Sequence, residues 1–317
     1  MSAYSIGVDL GGTNLRVAAV NENGQILDKV SASTSFDKGA EGVVGDIVEV
    51  IRGVANRIGF SGLCGIGIGV PGFIDMDAGV IIGSANLPGF QGFPVRDSIQ
   101  RHLGTRIILE NDANAAALGE KWIGAGKDVK DLILITLGTG IGGGIIIDGK
   151  ILHGFRGMAG EIGHMTVFPD GNPCGCGNHG CLEKHASASA IAAMAGMMGI
   201  ATQRFSAREV YELAVAGNTR AKLVFESMGR SLGIAIANLI NLFNFPLYLL
   251  SGGPLPAWDL FAPSMFGEIE SRAFTFARSG IRVEKAVLGG DAGLYGAAYL
   301  PFQEQATAGV CVLPSAV

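Results

Sequence analysis

The sequence predicts an α/β protein of two lobes, and three observations carry that prediction. The chain has 317 residues, long enough for two lobes of ordinary size, each with its own core. Runs rich in Val, Ile and Leu alternate with longer stretches of helical period, as strands interleaved with helices do. Finally, one pattern occurs twice: residues 5–27 and 132–152 each read as strand, Gly-rich turn, strand, Asx-Gly turn, strand. The closing turns, Asn23-Gly24 and Asp148-Gly149, are strong hairpin signals. A repeat displaced by about 125 residues points to two related lobes rather than a solenoid.

The remaining elements follow in order. A helix is expected near 41–58, a strand at Gly65–Val70 ending in Pro71-Gly72, and a strand at Arg106–Leu109 leading into an Ala-rich helix from Ala113. Past the second repeat come a Cys-rich loop, several helices from about 187 to 243, and a strand at Leu247–Leu250 ending in Ser251-Gly252-Gly253. A last helix lies near Gly293–Tyr299, and the tail beyond Phe302 has no clear pattern. The 50 glycines are read as turns and ligand loops.

Composition excludes several classes. The net charge is −5 with no block of like charges, which attracts neither nucleic acid nor an anionic membrane. Met1 to Ile6 run straight into a strand, without the basic start and apolar core of a signal peptide, so a cytoplasmic protein is expected. The most apolar stretch, Leu232–Leu250, carries Asn238, Asn241 and Asn244 at helical spacing and is broken by Pro246. It reads as a buried helix followed by a strand, not as a membrane span. Five cysteines in a cytoplasmic chain argue for metal or redox chemistry; Cys64 and Cys311 stand alone and are read as packing residues.

Four sets of residues carry chemistry. In Asp9-Leu-Gly-Gly-Thr-Asn14 two glycines expose backbone N–H groups where a strand turns, and Thr13 and Asn14 add donors, which suits phosphate oxygens. The second loop, Gly138-Thr-Gly-Ile-Gly-Gly143, matches a dinucleotide fingerprint formally, but a strand and not a helix follows it; no Walker motif is present either. Each loop alone could be an ordinary hairpin, whereas two at equivalent places point to a ligand. Glu110-Asn111-Asp112 ends a strand and opens a helix, so Asn111 or Asp112 can be a plain N-cap. Alternatively, a carboxylate there can bond a substrate hydroxyl and take its proton during phosphoryl transfer.

The most specific set is His164 with Cys174, Cys176 and Cys181. Three thiolates and one imidazole make a closed tetrahedral zinc site with no place for a reactive water, so the metal is structural. The competing readings are reduced cysteines packed in a turn, a redox switch, and His179 in place of His164 as the fourth ligand. Glu161 and Glu183 flank this loop; singly each reads as a solvated side chain, but a metal-pinned loop can hold both toward vicinal hydroxyls. His102, His153 and His185 are read as surface or satisfied core histidines.

Together these residues resemble the ROK family of sugar kinases and sugar-responsive repressors, within the actin-like ATPase superfamily. The resemblance rests on Asp9–Asn14, Gly69-Val-Pro-Gly72, Asn86-Leu-Pro-Gly89, Glu110–Asn114, Leu137–Gly143, Gly160-Glu-Ile-Gly-His164, Cys174–Glu183, Ser251–Gly253 and Asp291-Ala-Gly293. It implies a two-lobed actin-like ATPase (ribonuclease H-like) fold with an interlobe cleft: a small lobe of residues 1–112 completed by the C-terminal helix at about 293–317, and a larger lobe of 113–292. It further implies that Asp112 is the catalytic base and that Asn86, Asn111, Asp112, Glu161, His164 and Glu183 bind a sugar. Gly11, Gly12, Thr13, Asn14, Gly138, Thr139 and Gly140 would face the phosphates of ATP, Asp9 would lie near Mg2+, and Gly252 and Gly253 would border the adenosine.

The activity so implied is transfer of phosphate from ATP to the primary hydroxyl of a hexose, with glucose first. Fructose, mannose, allose, N-acetylmannosamine and N-acetylglucosamine are alternatives, polyphosphate is an alternative donor, and a homodimer is expected. Repressors of the family carry a DNA-binding domain ahead of the phosphate loop; the eight residues before Asp9 leave no room for one, so the expectation is an enzyme. A non-catalytic sugar sensor is the reading from another class. The zinc is expected to hold only the sugar side, so that its removal abolishes sugar binding before it touches the nucleotide site.

Overall fold

The computed structural model describes residues 3–84, 86–200 and 205–308; the reading of Cys311 as a packing residue lies outside them. In chain order the first elements are β1 (Tyr4–Leu10), β2 (Asn14–Asn21), β3 (Ile26–Ser33), α1 (Gly39–Ile58), β4 (Leu63–Val70), β5 (Phe73–Asp75), β6 (Val80–Gly83), α2 (Val95–Leu103), β7 (Ile107–Asn111) and α3 (Asp112–Trp122). There follow β8 (Leu132–Leu137), β9 (Ile141–Ile147), β10 (Lys150–Ile151), α4 (Glu183–Ala186), α5 (Ala188–Met197), α6 (Ala207–Val215), α7 (Thr219–Phe243), β11 (Leu247–Gly252), α8 (Trp258–Arg272), α9 (Phe276–Ser279), β12 (Arg282–Lys285) and α10 (Ala292–Ala308).

The repeat read in the sequence is a repeat of sheets. One has the order β3-β2-β1-β4-β7 and the other β10-β9-β8-β11-β12. In the first, β1 to β3 form an antiparallel meander and β4 and β7 add in parallel on the other side. In the second, β9 and β10 are antiparallel, while β8, β11 and β12 are parallel. Parallel neighbours need crossover helices, which the stretches between them supply.

The chain forms two compact units: Met1–Lys130 with Gly144–Ala159 and Gly290–Val317, and Asp131–Gly143 with Gly160–Gly289. The boundary expected after residue 112 therefore moves. Helix α3 stays with the first unit because it packs against α10 at backbone distance: a Cβ on Gly296 would collide with the Ala115 carbonyl, and one on Gly119 with the Ala292 carbonyl. The C-terminal helix completes the first unit and runs to Ala308, past the point where the sequence loses its pattern. Trp122 stacks on Tyr299 at 4.8 Å and meets Phe302 at 5.9 Å.

These contacts also correct the reading of the glycines. In β4 the sequence alternates as Gly65-Ile66-Gly67-Ile68-Gly69, so the two faces differ. Ile66 and Ile68 enter a core with Val8 of β1 and with Val44, Ile47 and Ile51 of α1, where full burial of each contributes about 1.5–3 kcal/mol. Gly67, with Gly7 of β1, faces α10 so closely that a Cβ would strike the Ala297 or Leu294 carbonyl. These strand glycines are packing devices rather than turns.

Within the second unit, α7 is long and apolar enough to cross a membrane, but most of its most apolar window is buried. It is a core helix whose Gly229 and Gly233 sit against the Phe261 and Met265 carbonyls of α8. It ends at Asn244, in left-handed conformation, and β11 follows.

Candidate functional site

In the first unit the turn between β1 and β2 is closed by the Gly11 N–H donating to the Asn14 carbonyl at 2.8 Å. Gly12, Thr13 and Asn14 are exposed, and the Asn14 amide donates to the Thr13 hydroxyl at 3.1 Å. A Cβ on Gly12 would lie 3.1 Å from the Asn86 carbonyl, so these two candidates sit together. Asp9, Gly11, Asn14, Arg16 and Ser31 line a cavity of about 430 Å³. Asp9 accepts from the Arg16 guanidinium. Arg16 lies 3.5 Å from Asp291, which also accepts from Lys29 at 2.7 Å.

The junction of β7 and α3 adjoins this turn. A Cβ at Gly293 would lie 3.8 Å from both the Asp112 carbonyl and the Asp9 carboxyl carbon. Asn111 is the N-cap of α3, its Oδ1 accepting from the N–H groups of Ala113 (2.9 Å) and Asn114 (3.2 Å). Its Nδ2 donates to the Gly72 carbonyl at 3.2 Å. Capping falls to Asn111, so Asp112 stands as the first helical residue, exposed at the end of a helix whose next eight residues are buried.

In the second unit the turn between β8 and β9 is closed by the Gly138 N–H donating to the Gly140 carbonyl at 2.9 Å, and the Gly138 carbonyl accepts from Ala188 N–H at 2.9 Å. Gly253 donates to the Leu137 carbonyl at 3.1 Å. At Gly252, with φ 114°, a Cβ would collide with the Leu137 backbone, so glycine is required. Gly252 and Gly253 thus lie beside the start of the Gly138–Gly140 turn. Glu183 lies at its other end, its carboxylate accepting from Ile141 N–H at 3.1 Å.

The four candidate zinc ligands converge. One donor atom from each of His164, Cys174, Cys176 and Cys181 lies within 4.8 Å of the others. Cys176 Sγ is 3.6 Å from Cys181 Sγ, and Cys174 Sγ is 3.7 Å from His164 Nδ1. Tetrahedral zinc with bonds of about 2.3 Å to sulfur places sulfurs about 3.8 Å apart, so these residues fit the metal. His179 is not in the cluster; it is exposed, and its backbone N–H is held by Asn178 Oδ1. His164 turns its Nε2 toward Glu161 at 3.9 Å. Partial burial pushes the Glu161 carboxyl up, His164 holds it down, and Glu183 raises it further.

Two pairings escaped the sequence reading. The first joins Arg16 and Lys29 to Asp291, which was read only as part of the Asp291-Ala-Gly293 motif. Counting across the Gly-rich hairpin would have found Arg16, which stands directly opposite Asp9 in the β1–β2 register, a favourable cross-strand charge pair. The second is Glu110 and His153, whose Oε2 and Nε2 are 2.7 Å apart. His153 was read as a surface or core residue, and no local spacing joins it to β7.

The similarities to known proteins run the length of the chain. A glucokinase of Halalkalibacterium halodurans is 39% identical, over 95% of this chain and 96% of its own. A xylose repressor of Caldicellulosiruptor bescii is 31% identical over 89% of this chain and 74% of its own. The crystal structure of a ROK family glucokinase from Streptomyces griseus, in complex with glucose and AMPPNP, superposes with a TM-score of 0.80 at 34% identity, covering 95% of this chain and all of that one (100%). The ROK family profile matches residues 5–304, and the chain belongs to the ROK family.

Proposed function

We propose that this protein is an ATP-dependent hexose kinase that converts glucose to glucose 6-phosphate. The observation that carries the reading is Asp112, an exposed carboxylate at the start of a buried helix whose cap is supplied by its neighbour. In the proposed reaction Asp112 takes the proton of the sugar's primary hydroxyl as that oxygen bonds to the γ-phosphorus of ATP; the bond to the β-phosphate oxygen breaks and ADP leaves. Asn86, Asn111, Glu161, His164 and Glu183 bind the sugar hydroxyls, and Nε2 of His164 remains available when Nδ1 holds the metal.

The turns Gly11–Asn14 and Gly138–Gly140 hold the phosphates, their Gly11 and Gly138 N–H groups being spent on closing the turns, and Gly252 and Gly253 border the adenosine. Asp9 is the residue for Mg2+, whose charge offsets that of the phosphates; Arg16 already compensates that carboxylate and would yield to the cation. Zinc at His164, Cys174, Cys176 and Cys181 is structural. The working form is a homodimer and its setting the cytoplasm.

A coupled assay of ADP release across a panel of hexoses tests this. Glucose is expected to give the highest kcat/KM, and Asp112→Asn to lower turnover by about 10²–10⁴-fold in a folded protein. Near-normal turnover in that variant removes the base assignment. Similarity to a xylose repressor favours a second reading, a non-catalytic sugar sensor; sugar binding with no turnover of any sugar would select it.

A further inference from the structure

We propose that Glu110 and His153 form a positioning couple that fixes the strand-to-helix junction from which Asp112 projects. This deepens the reading of Asp112 as the base and rests on it. Glu110 precedes the junction in β7 and is only 2% exposed. A carboxylate so buried must be met by donors. One oxygen accepts from the Asn111 N–H at 2.8 Å and from the Asn114 amide at 3.0 Å. The other meets His153 Nε2 at 2.7 Å. Asn114 turns its Nδ2 to Glu110 while its own buried Oδ1 has no partner, so the carboxylate sets the geometry here.

The residues on both sides of Asp112 are therefore held through one side chain: Asn111 by its backbone and Asn114 by its amide. His153 is the only one of the three donors that comes from a distant segment. It anchors the couple to the chain just after β10, in the same unit. The His153 ring, 43% exposed, lines a groove of about 1180 Å³. The charged groups facing that groove are Glu110 of β7, Arg96 and Arg101 of α2, Arg106, Lys150 of β10 and Glu304 of α10; Arg106 is paired with Glu304 at 2.9 Å.

The hydrogen bond to Glu110 raises the His153 pKa above its ordinary 6.5, against burial, which lowers it. A raised value means that the stabilisation is complete below pH 6.5 and is lost as pH rises through the folded-state value. The ion pair then becomes a bond from a neutral imidazole N–H to the carboxylate, and the junction loosens.

The test is kinetics and amide hydrogen exchange on His153→Leu and His153→Gln, with Asp112→Asn in parallel. Leucine has no donor; the glutamine amide can still reach Glu110. His153→Leu is expected to lower kcat by about tenfold to a hundredfold, as a misplaced catalytic group does, with sugar KM changed by less than roughly threefold. Exchange at Asn111 to Asn114 should quicken. His153→Gln is expected to restore most of both while flattening the pH dependence of thermal stability above pH 6.5, since its amide does not titrate. Wild-type turnover and exchange in folded His153→Leu would overturn the couple, as would equal losses in the two variants. If His153→Leu does not fold, His153→Asn, whose amide is too short to reach Glu110, takes its place. Intact turnover in Asp112→Asn would sink the base reading alone; exchange at 111–114 would still decide the couple.

Discussion

The turn after β1 and the turn after β8 grow from one repeated pattern, yet they are held in different ways. The first is flanked by charge: Asp9, Arg16, Asp291 and Lys29 make a partly exposed chain of ion pairs around it. The second is fixed by neutral backbone bonds at Gly138 and Gly253 and by one carboxylate, Glu183. Glu183 lies two residues beyond Cys181, so the Cys-rich loop reaches the second turn directly. The same local sequence thus gives one turn flanked by ion pairs and another held by backbone bonds and by a carboxylate next to the Cys-rich loop.

This difference changes what zinc is expected to do. The sequence reading confined the expected metal to the sugar side; through the Glu183–Ile141 bond a metal bound at the Cys-rich loop would also hold the Gly138–Gly140 turn. Stripping zinc should therefore give the largest effect, weakening sugar binding by about tenfold to a hundredfold and speeding amide exchange at Ile141 and Gly142 while Gly11 stays protected. Calorimetric sugar titration and residue-resolved exchange read both, with elemental analysis confirming stoichiometric metal beforehand. Unchanged exchange at Ile141 in a folded zinc-free protein would return the metal to the sugar side only.

Arg16→Met comes next. It leaves Asp9 partly buried without its cation, and should lower stability by about 1–2 kcal/mol and raise the KM for ATP, with exchange at Ile141 unaltered. Thermal unfolding and an ATP titration check it. Glu183→Gln keeps an acceptor but loses its charge. Protection of Ile141 should fall by about 1 kcal/mol, roughly fivefold in exchange rate. Salt is the gentlest probe. Between low and high ionic strength the pairs of Asp291 with Arg16 and Lys29 should weaken by about half a kcal/mol, visible as faster exchange at the first turn and not at the second.

What could be read in advance follows the distance over which each feature is written. The His164, Cys174, Cys176 and Cys181 set spans only residues 164–181, and its convergence was legible as a list of candidate ligands. The hairpins were legible because Asn23-Gly24 and Asp148-Gly149 state their turns locally; in the second, both Asp148 and Gly149 take positive φ. The β4 glycines were misread because only α10, far along the chain, shows why a side chain is forbidden there. The boundary near residue 112 was misplaced for the same reason, since nothing in α3 announces its partner. Glu110 and His153 stand 43 residues apart, and a lone histidine carries no signal of the carboxylate it meets. Arg16 is the intermediate case, readable by counting across the hairpin from Asp9.

The packing of α10 on β1, β4 and α3 has a consequence for how the chain is made. Synthesis delivers β1 to α3 first, then nearly all of the second unit, and α10 last. Until α10 emerges, the glycine-lined faces of β1 and β4 have no cover, and α3 lacks the helix against which Gly119 is cut to fit. The second unit, by contrast, has its core elements from β8 to β12 in hand earlier. On the ribosome the usual order, in which the N-terminal part settles first, is reversed: the first part of the protein to be translated is the last to become native.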